Sequence, residues 1–468
     1  MLRQAHLPAH LILLFSALAG LFIWPQLNGS GGDGDSVMHY YFAASAFDYP
    51  LHFLDLWAKP AFTTLAAPWA VFGFKYLQLF NFFNALGASY FAYRIARHFK
   101  LKLAPLAMVI PWLCRAYFPL SFTGLTEPLA ALCLSAGVFA LLKNKLSWGF
   151  IILSLLPFIR FEMYAVLFWL MLAIAIEKRT LKSLWGLSAL VVLAFFGLAI
   201  TGNFLAYLVS PYGQGVSPYG SGDWYHFLER LIALSHPSWL VAAALGMAAS
   251  FLKTNYRKEL LFLVVGPIII ITLGHSLVWA LGIFASAGMD RVLIPIFPLI
   301  FVLAVLGIEK LGQIFDLAWL KWFFTVLFLA LPLLNYWYDG GLWRYYWASV
   351  KEKHPRRAFI ENEFEGLKPR NSEDYLILSD PYSGIALDLP QKGPQTYSFW
   401  TIDDLVRKSQ PFVFLVDDHF SLNRADEIRD LAKLGLVFEK EALYTQNGDS
   451  IYYFQGYFNP PQRQREAN

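Results

Sequence analysis

Apolar runs of about 14–22 residues recur along this chain up to position 336. A helix needs about 20 such residues to cross the roughly 30 Å hydrocarbon layer of a bilayer. By that criterion about eleven spans are expected, near 7–25, 74–93, 104–118, 126–142, 147–159, 163–176, 183–201, 238–252, 260–283, 292–308 and 320–336. Composition agrees. Of 468 residues 57% are hydrophobic and only 15% charged, against about 25% charged in soluble domains. Such a chain lacks the polar surface to cover its apolar mass in water, so lipid must supply part of its solvent. The formal charge of +4 is small, and the basic residues fall in short clusters between the runs. That pattern orients a membrane protein; it predicts no nucleic-acid partner.

Basic residues test the orientation. One set of connections holds Arg3, then Arg94, Arg97, Lys100 and Lys102, then Lys143 and Lys145, Lys178, Arg179 and Lys182, Lys253, Arg257 and Lys258, Lys310 and Lys321. The other set holds mostly single ones: Lys59, Arg115, Arg160, Arg230 and Arg291. The positive-inside rule puts the N-terminus in the cytoplasm and everything after 336 outside. The first run reads as a span rather than a cleaved signal peptide. The pair 147–159 and 163–176 is short, with Arg160 and Glu162 at its apex; thirteen helical residues rise only about 20 Å. That apex is expected below the outer surface, in protein or a wet cleft, because charge facing lipid is costly. The outer loop 26–73 mixes apolar and polar residues as interfacial helices do.

After about 339 the composition changes. A polar helix over 342–366 is expected, then strands at 375–379, 396–400 and 412–418, helices after Thr401 and over 421–434, and a hairpin turning at Asn447-Gly448. The expected organisation is a membrane catalytic region 1–338, a soluble α/β domain 339–458 outside the membrane, and a disordered tail 459–468. Cys114 and Cys133 both fall in or beside apolar segments and read as buried unpaired thiols.

The stretch GSGGDGDSVMHYYF, residues 29–42, carries the sharpest functional question. Its glycines satisfy G-x-G-x-x-G, but a membrane-length helix precedes them and no βαβ unit follows, so a dinucleotide cradle is excluded. A P-loop lacks its Lys-Ser/Thr, and an EF-hand its later acids. What remains is two carboxylates, Asp33 and Asp35, on a loop at the outer face. A solvated turn is the plain alternative. Against it, His39, Asp48, His52, Asp55, Lys59, Arg115, Glu127, Arg160, Glu162, Asp290 and Arg291 gather on the same side, several at the ends of apolar helices. Carboxylates and guanidinium groups converging from distant segments suggest an anionic substrate beside a general base. Arg160 and Glu162 equally suit a buried structural ion pair, and His52 reads as packing.

With this plan the chain resembles the GT-C superfamily of membrane glycosyltransferases, which use lipid-linked sugars. The resemblance rests on Asp33-Gly34-Asp35 as a modified D-x-D motif in the first outer loop, on the interfacial segment 48–72, and on three pieces: TGLTEPLAALCLSAG, LPFIRFEMYAVL and MDRVLIPIFPL. Many members carry Asp-Glu where this chain has Asp-Gly-Asp. The resemblance implies an inverting transferase of the hexosyl or mannosyl type, moving a sugar from a polyprenyl-phosphate donor to a hydroxyl of a lipid, glycan or protein at the outer face, with the bacterial inner membrane as the expected location. In that reading Asp35 is the base, with Asp33 sharing the role or orienting acceptor or ion. Arg160, Arg291 and Lys59 hold the phosphate, and Glu162, Glu127, His39 and Asp55 support them. Asp33 and Asp35 also suit Mg²⁺ or Mn²⁺ by ligand type. Tyr40, Tyr41, Trp57 and Trp69 stack on sugar or, more simply, pack. A transporter or flippase for a lipid-linked or anionic solute is the rival, though the charges gather on one side and no repeat is evident. A polymerase or ligase of lipid-linked glycans is a third reading.

Overall fold

The computed structural model describes residues 7–109, 112, 114–208, 215–251, 256–314, 319, 323, 325–328, 330–331, 341–364, 375–378, 381–387, 396–398, 411–417, 436–446 and 449–458. Among these, four helical stretches are long and apolar enough to cross a membrane: Leu7–Gln26, Leu181–Thr201, Arg257–Leu281 and Asp290–Gln313. A further pair, His226–Leu234 and Pro237–Ser250, is bent by 115°. Pro237 opens the second member and His236 before it is extended, with φ −152° and ψ 142°, as a residue preceding proline prefers. Helix Phe74–His98 runs through the middle of the bundle with most of its surface buried.

The run at 104–118 departs from expectation. Where one span was expected, the chain forms two short helices, Leu106–Val109 and Tyr117–Leu120. Pro105 directly precedes the first and Pro119 lies in the first turn of the second, places where a missing N–H costs no intrahelical bond. The run at 320–336 lies largely outside the described residues.

The polar helix expected over 342–366 is broken into Gly341–Lys351 and Pro355–Phe364, with Pro355 starting the second. Beyond it a five-stranded sheet contains β1 (Tyr375–Leu378), β2 (Thr396–Ser398), β3 (Pro411–Asp417), β4 (Leu436–Gln446) and β5 (Asp449–Phe458) in the order β2-β1-β3-β5-β4. β1 is parallel to β2 and β3, whereas β5 is antiparallel to β3 and β4. Helix Pro381–Ala386 follows β1. The hairpin and the mixed α/β character match the sequence reading. The helices expected after Thr401 and over 421–434, and the tail 459–468, lie outside the described residues.

Two hydrophobic cores meet at the site. The larger fills the helical bundle. The smaller joins Val37 and Tyr41 of helix Asp33–Ala44 to Phe359, Ile360, Tyr382 and Leu387. The helix that presents Asp35 is therefore packed on one side against the C-terminal region.

Candidate active site

The glycine-rich stretch is a clamp. Gly31 and Gly32 sit at φ +60° and +66°, the left-handed region that glycine enters without strain. They are also hemmed in: a Cβ on Gly31 would stand 2.5 Å from Thr123 Cγ2, and one on Gly32 2.5 Å from Leu125 Cδ1. The N–H groups of Asn28, Gly29 and Gly31 donate to the carbonyls of Lys351, Val350 and Ser349 at 3.1, 2.9 and 2.9 Å. They thereby satisfy the open C-terminal carbonyls of helix Gly341–Lys351. From the other side, two buried amides one helical turn apart staple the loops together. Gln78 Nε2 donates to the carbonyls of Gly29 and Phe122, both at 2.9 Å. Asn81 Nδ2 donates to those of Thr123 and Leu125, both at 2.7 Å. Ser36 Oγ donates to Ser30 O at 2.8 Å and accepts from Gly124 N at 2.6 Å. Asp35, expected on a loop, thus lies in the first turn of helix Asp33–Ala44, and Glu127 opens helix Glu127–Leu142; the loops that lead into the two helices are locked to one another.

Glu127 opens helix Glu127–Leu142 and is 2% exposed. Its Oε1 lies 2.6 Å from Arg160 Nη1 and 3.7 Å from Arg291 Nε. One carboxylate oxygen therefore faces both guanidinium groups. Arg160 also pairs with Glu162, as the structural reading allowed, but the pair belongs to a larger network rather than standing alone. Arg291 lies in the first turn of Asp290–Ile296, donates to Gly32 O at 3.0 Å, and pairs with Asp35 Oδ2. Asp35 and Arg160 line the same cavity as Arg291. Asp33 begins its helix, but its side chain lies outside the described residues.

Lys59 is held with φ +68°, an uncommon backbone for a residue with a Cβ, and such strain tends to persist where surrounding structure enforces it. The next residue, Pro60, starts helix Pro60–Ala70. Lys59 Nζ donates to Trp57 O at 3.0 Å and lies 5.2 Å from the centre of the Phe161 ring. Burial, then repulsion from Arg160, pushes its ammonium down to about 8. His39 is buried and stacks on Trp57, ring centres 5.1 Å apart. Burial first, and Lys59 second, push it down to about 3, so the ring is neutral at physiological pH. Asp55 accepts from Ala58 N at 2.8 Å. It shapes the turn before Lys59 and is not among the residues lining the cavity. His52 bonds Ser45 Oγ at 2.9 Å and packs on Phe42, as expected of packing. Of the four aromatic residues, Trp57 lines the cavity, Tyr40 packs on Phe74, Tyr41 packs toward the C-terminal region, and Trp69 packs on Phe80 and Phe83.

These side chains open on a cavity of about 850 Å³. Asp35, His39, Lys59, Glu127, Arg160, Glu162 and Arg291 line its polar part, and Phe161, Ile270, Ile271, Val278 and Val292 its apolar part. His275 and Phe227, which the sequence reading did not single out, also line it. His275 Nε2 is 3.7 Å from Glu162 Oε1. An ionisable residue inside the apolar run 260–283 was its signal. Among the described residues no group of three or more His, Cys, Asp or Glu side chains is placed to hold a metal ion. Asp35 pairs with the Arg291 guanidinium.

No protein-family model and no curated protein matches this chain. Solved structures do. ArnT from Cupriavidus metallidurans bound to undecaprenyl phosphate superposes with a TM-score of 0.63 at 12% identity, over 94% of this chain and 97% of that one. The same protein in the apo state gives 0.59 at 13% identity, with the same coverage. At this identity the likeness is one of fold: the chain folds as ArnT does over nearly its whole length.

Proposed function

We propose that this protein is an inverting glycosyltransferase that moves a sugar from a polyprenyl-phosphate carrier to an acceptor hydroxyl at the outer face of the membrane. One observation carries the reading. A carboxylate and three cations from four distant segments, Asp35, Lys59, Arg160 and Arg291, line one cavity whose other wall is apolar. An apolar wall suits a lipid tail, and cations at its polar end suit a phosphate. The arrangement of basic residues between the apolar runs supports an exoplasmic site, with a bacterial inner membrane as the simplest setting.

The chemistry follows from charge. The bond between the anomeric carbon and the phosphate oxygen breaks as the acceptor oxygen bonds to that carbon. Negative charge grows on the phosphate, and guanidinium groups that stay ionised in a partly dry site are suited to stabilise it. Arg160 and Arg291 hold their forks in place through Glu127, so little reorganisation is needed. Lys59 adds a third charge. Asp35 takes the acceptor's proton. Asp35 is paired with Arg291; a phosphate competes for that guanidinium and leaves the carboxylate free to act as a base.

The test is turnover of purified, reconstituted protein with a radiolabelled polyprenyl-phosphate sugar, native against Asp35→Asn. Loss of a general base lowers the rate by roughly 10²–10⁴-fold. Undiminished transfer in the variant refutes Asp35 as the base. Movement of label across the vesicle membrane without transfer to any acceptor favours the transporter instead.

A further inference from the structure

Helix Asp290–Gln313 is 24 residues long, with Arg291 of the candidate active site at one end and Lys310 at the other. A helix of that length separates the two by about 30 Å, the thickness of a hydrocarbon layer. At the Lys310 end lies a second pocket of about 170 Å³, which shares no lining residue with the active-site cavity. On one face of helix Phe297–Ile314, Val302, Leu306 and Lys310 follow each other at intervals of four, and all three line the pocket. Its floor is thus apolar, with Leu101 and Leu260 completing it, and its rim carries an ammonium group. Lys310 Nζ donates to Gln313 Oε1 at 3.0 Å. A second ammonium, that of Lys100, stands 5.9 Å from the centre of the Tyr256 ring, and both residues line the pocket. Tyr256 is held edge-on by His98 and Phe99, with ring centres 5.6 and 5.8 Å away. Lys100 and Gln313 are exposed, so the rim is open to its surroundings.

We infer that this pocket binds the head group of an anionic phospholipid in the leaflet opposite the candidate active site, a ligand that takes no part in the transfer reaction. Charge complementarity is the first reason. Arg97, Lys102, Arg257 and Lys258 each lie within two residues of a lining residue and add to Lys100 and Lys310. The acids at hand face donors of the protein itself. Glu309, buried in the lining, accepts from the Leu103 N–H, and Glu259 Oε2 lies 3.1 Å from His98 Nε2. Basic pockets between membrane helices suit phospholipid head groups, each ammonium near the surface favouring an anionic lipid by about fivefold. The apolar floor is the second reason. A free anion would leave Val302 and Leu306 uncovered, whereas a lipid lays its first methylenes there. Lys143 and Lys145 offer a contrast. They follow helix Glu127–Leu142, whose other end is at the active site, so they belong to the same far face. They line neither this pocket nor the active-site cavity.

The test is native mass spectrometry of the full-length protein released from mixed micelles of phosphatidylglycerol and phosphatidylcholine with the same acyl chains. The native protein is expected to retain a phosphatidylglycerol in roughly 25-fold preference. Lys100→Gln and Lys310→Gln should each lower that preference about fivefold, and the two together should abolish it. Lys100→Arg with Lys310→Arg keeps both charges and should keep the preference, as should Lys143→Gln with Lys145→Gln. Millimolar inorganic phosphate should not displace the lipid. Native protein without a preference overturns the site. So does an equal loss in the Lys143 and Lys145 pair, which reduces the effect to general surface charge. A loss in the arginine pair, or displacement by phosphate, which makes the occupant a free anion, overturns it too. None of these outcomes touches the transfer reading, which turns on Asp35.

Discussion

Helices Leu181–Thr201 and Asp290–Gln313 are nearly alike as sequences, with mean hydropathies of 2.2 and 2.6, but 17% of the first is buried inside the protein and 94% of the second. The first turns Val191, Val192, Phe195 and Leu198 outward. The second is enclosed, and Gly307 packs so closely on the neighbouring helix that a Cβ would stand 1.9 Å from Ala242 O. Hydropathy measures compatibility with a medium of low polarity, and protein interior and lipid both provide one. It does not tell them apart. What does distinguish the two is the polar residue at the entrance: the buried helix begins with Asp290-Arg291, and Arg291 reaches Gly32, Asp35 and Glu127. A helix surrounded by protein can carry a guanidinium at its tip because partners enclose it. The site is built where lipid is absent.

The sharpest way to break this contrast is to remove the tip charge. Arg291→Ala takes away a phosphate ligand and leaves Asp35 and Glu127 facing one another with one cation fewer. Transfer is expected to fall by at least about 10³-fold, as when an electrostatic stabiliser of a developing anion is lost. Lys182→Ala, at the entrance of the exposed helix, should leave turnover within about twofold, because Lys182 is not among the residues lining the cavity. Equal losses from both substitutions, measured as kcat on reconstituted protein, would show that the two helices are functionally equivalent.

A smaller effect comes from the charge state of the same polar end. Burial, then Arg160, pushes the Lys59 ammonium down to about 8, so its charge falls away as pH rises through that value. Donor affinity should therefore decline as pH rises, by about tenfold between roughly pH 7 and pH 9, and binding above pH 8 should take up a proton as the phosphate restores the charge. Lys59→Arg stays charged throughout. Its affinity should be flat over that range. An alkaline decline that survives this substitution would assign the titration to another group.

How much of this was legible in the sequence follows from the same contrast. Asp35, Lys59, Arg160 and Arg291 stood out because a charge at the end of an apolar run demands an explanation. His275 carried the same signal, embedded in the apolar run 260–283. The partnerships were not legible: Asp35 and Arg291 are 256 positions apart, and no local pattern encodes that Glu127 lies between two arginines. Nor was the role of Gln78 and Asn81, whose amides hold two loops together. The alternating strands of the C-terminal region were legible from period two, whereas the break in 104–118 is invisible to apolar length alone. Composition announces the solvent; contacts between distant segments need the fold.

The finest test of the contrast uses one substitution twice. Phe301 is 0% and Phe195 67% exposed, and Phe→Leu removes comparable volume from each. In the enclosed helix the lost ring leaves a gap that close-packed neighbours fill only partly, so Phe301→Leu should lower stability by about 1–2 kcal/mol. At Phe195 lipid tails flow into the space, and a lipid tail is as apolar as the leucine that replaces the ring. The change there should stay within about 0.5 kcal/mol, read as the midpoint of thermal unfolding in the same lipid–detergent mixture. If Phe195→Leu proves as damaging as Phe301→Leu, then Phe195 is covered by protein in the membrane, and its helix faces a second polypeptide rather than lipid.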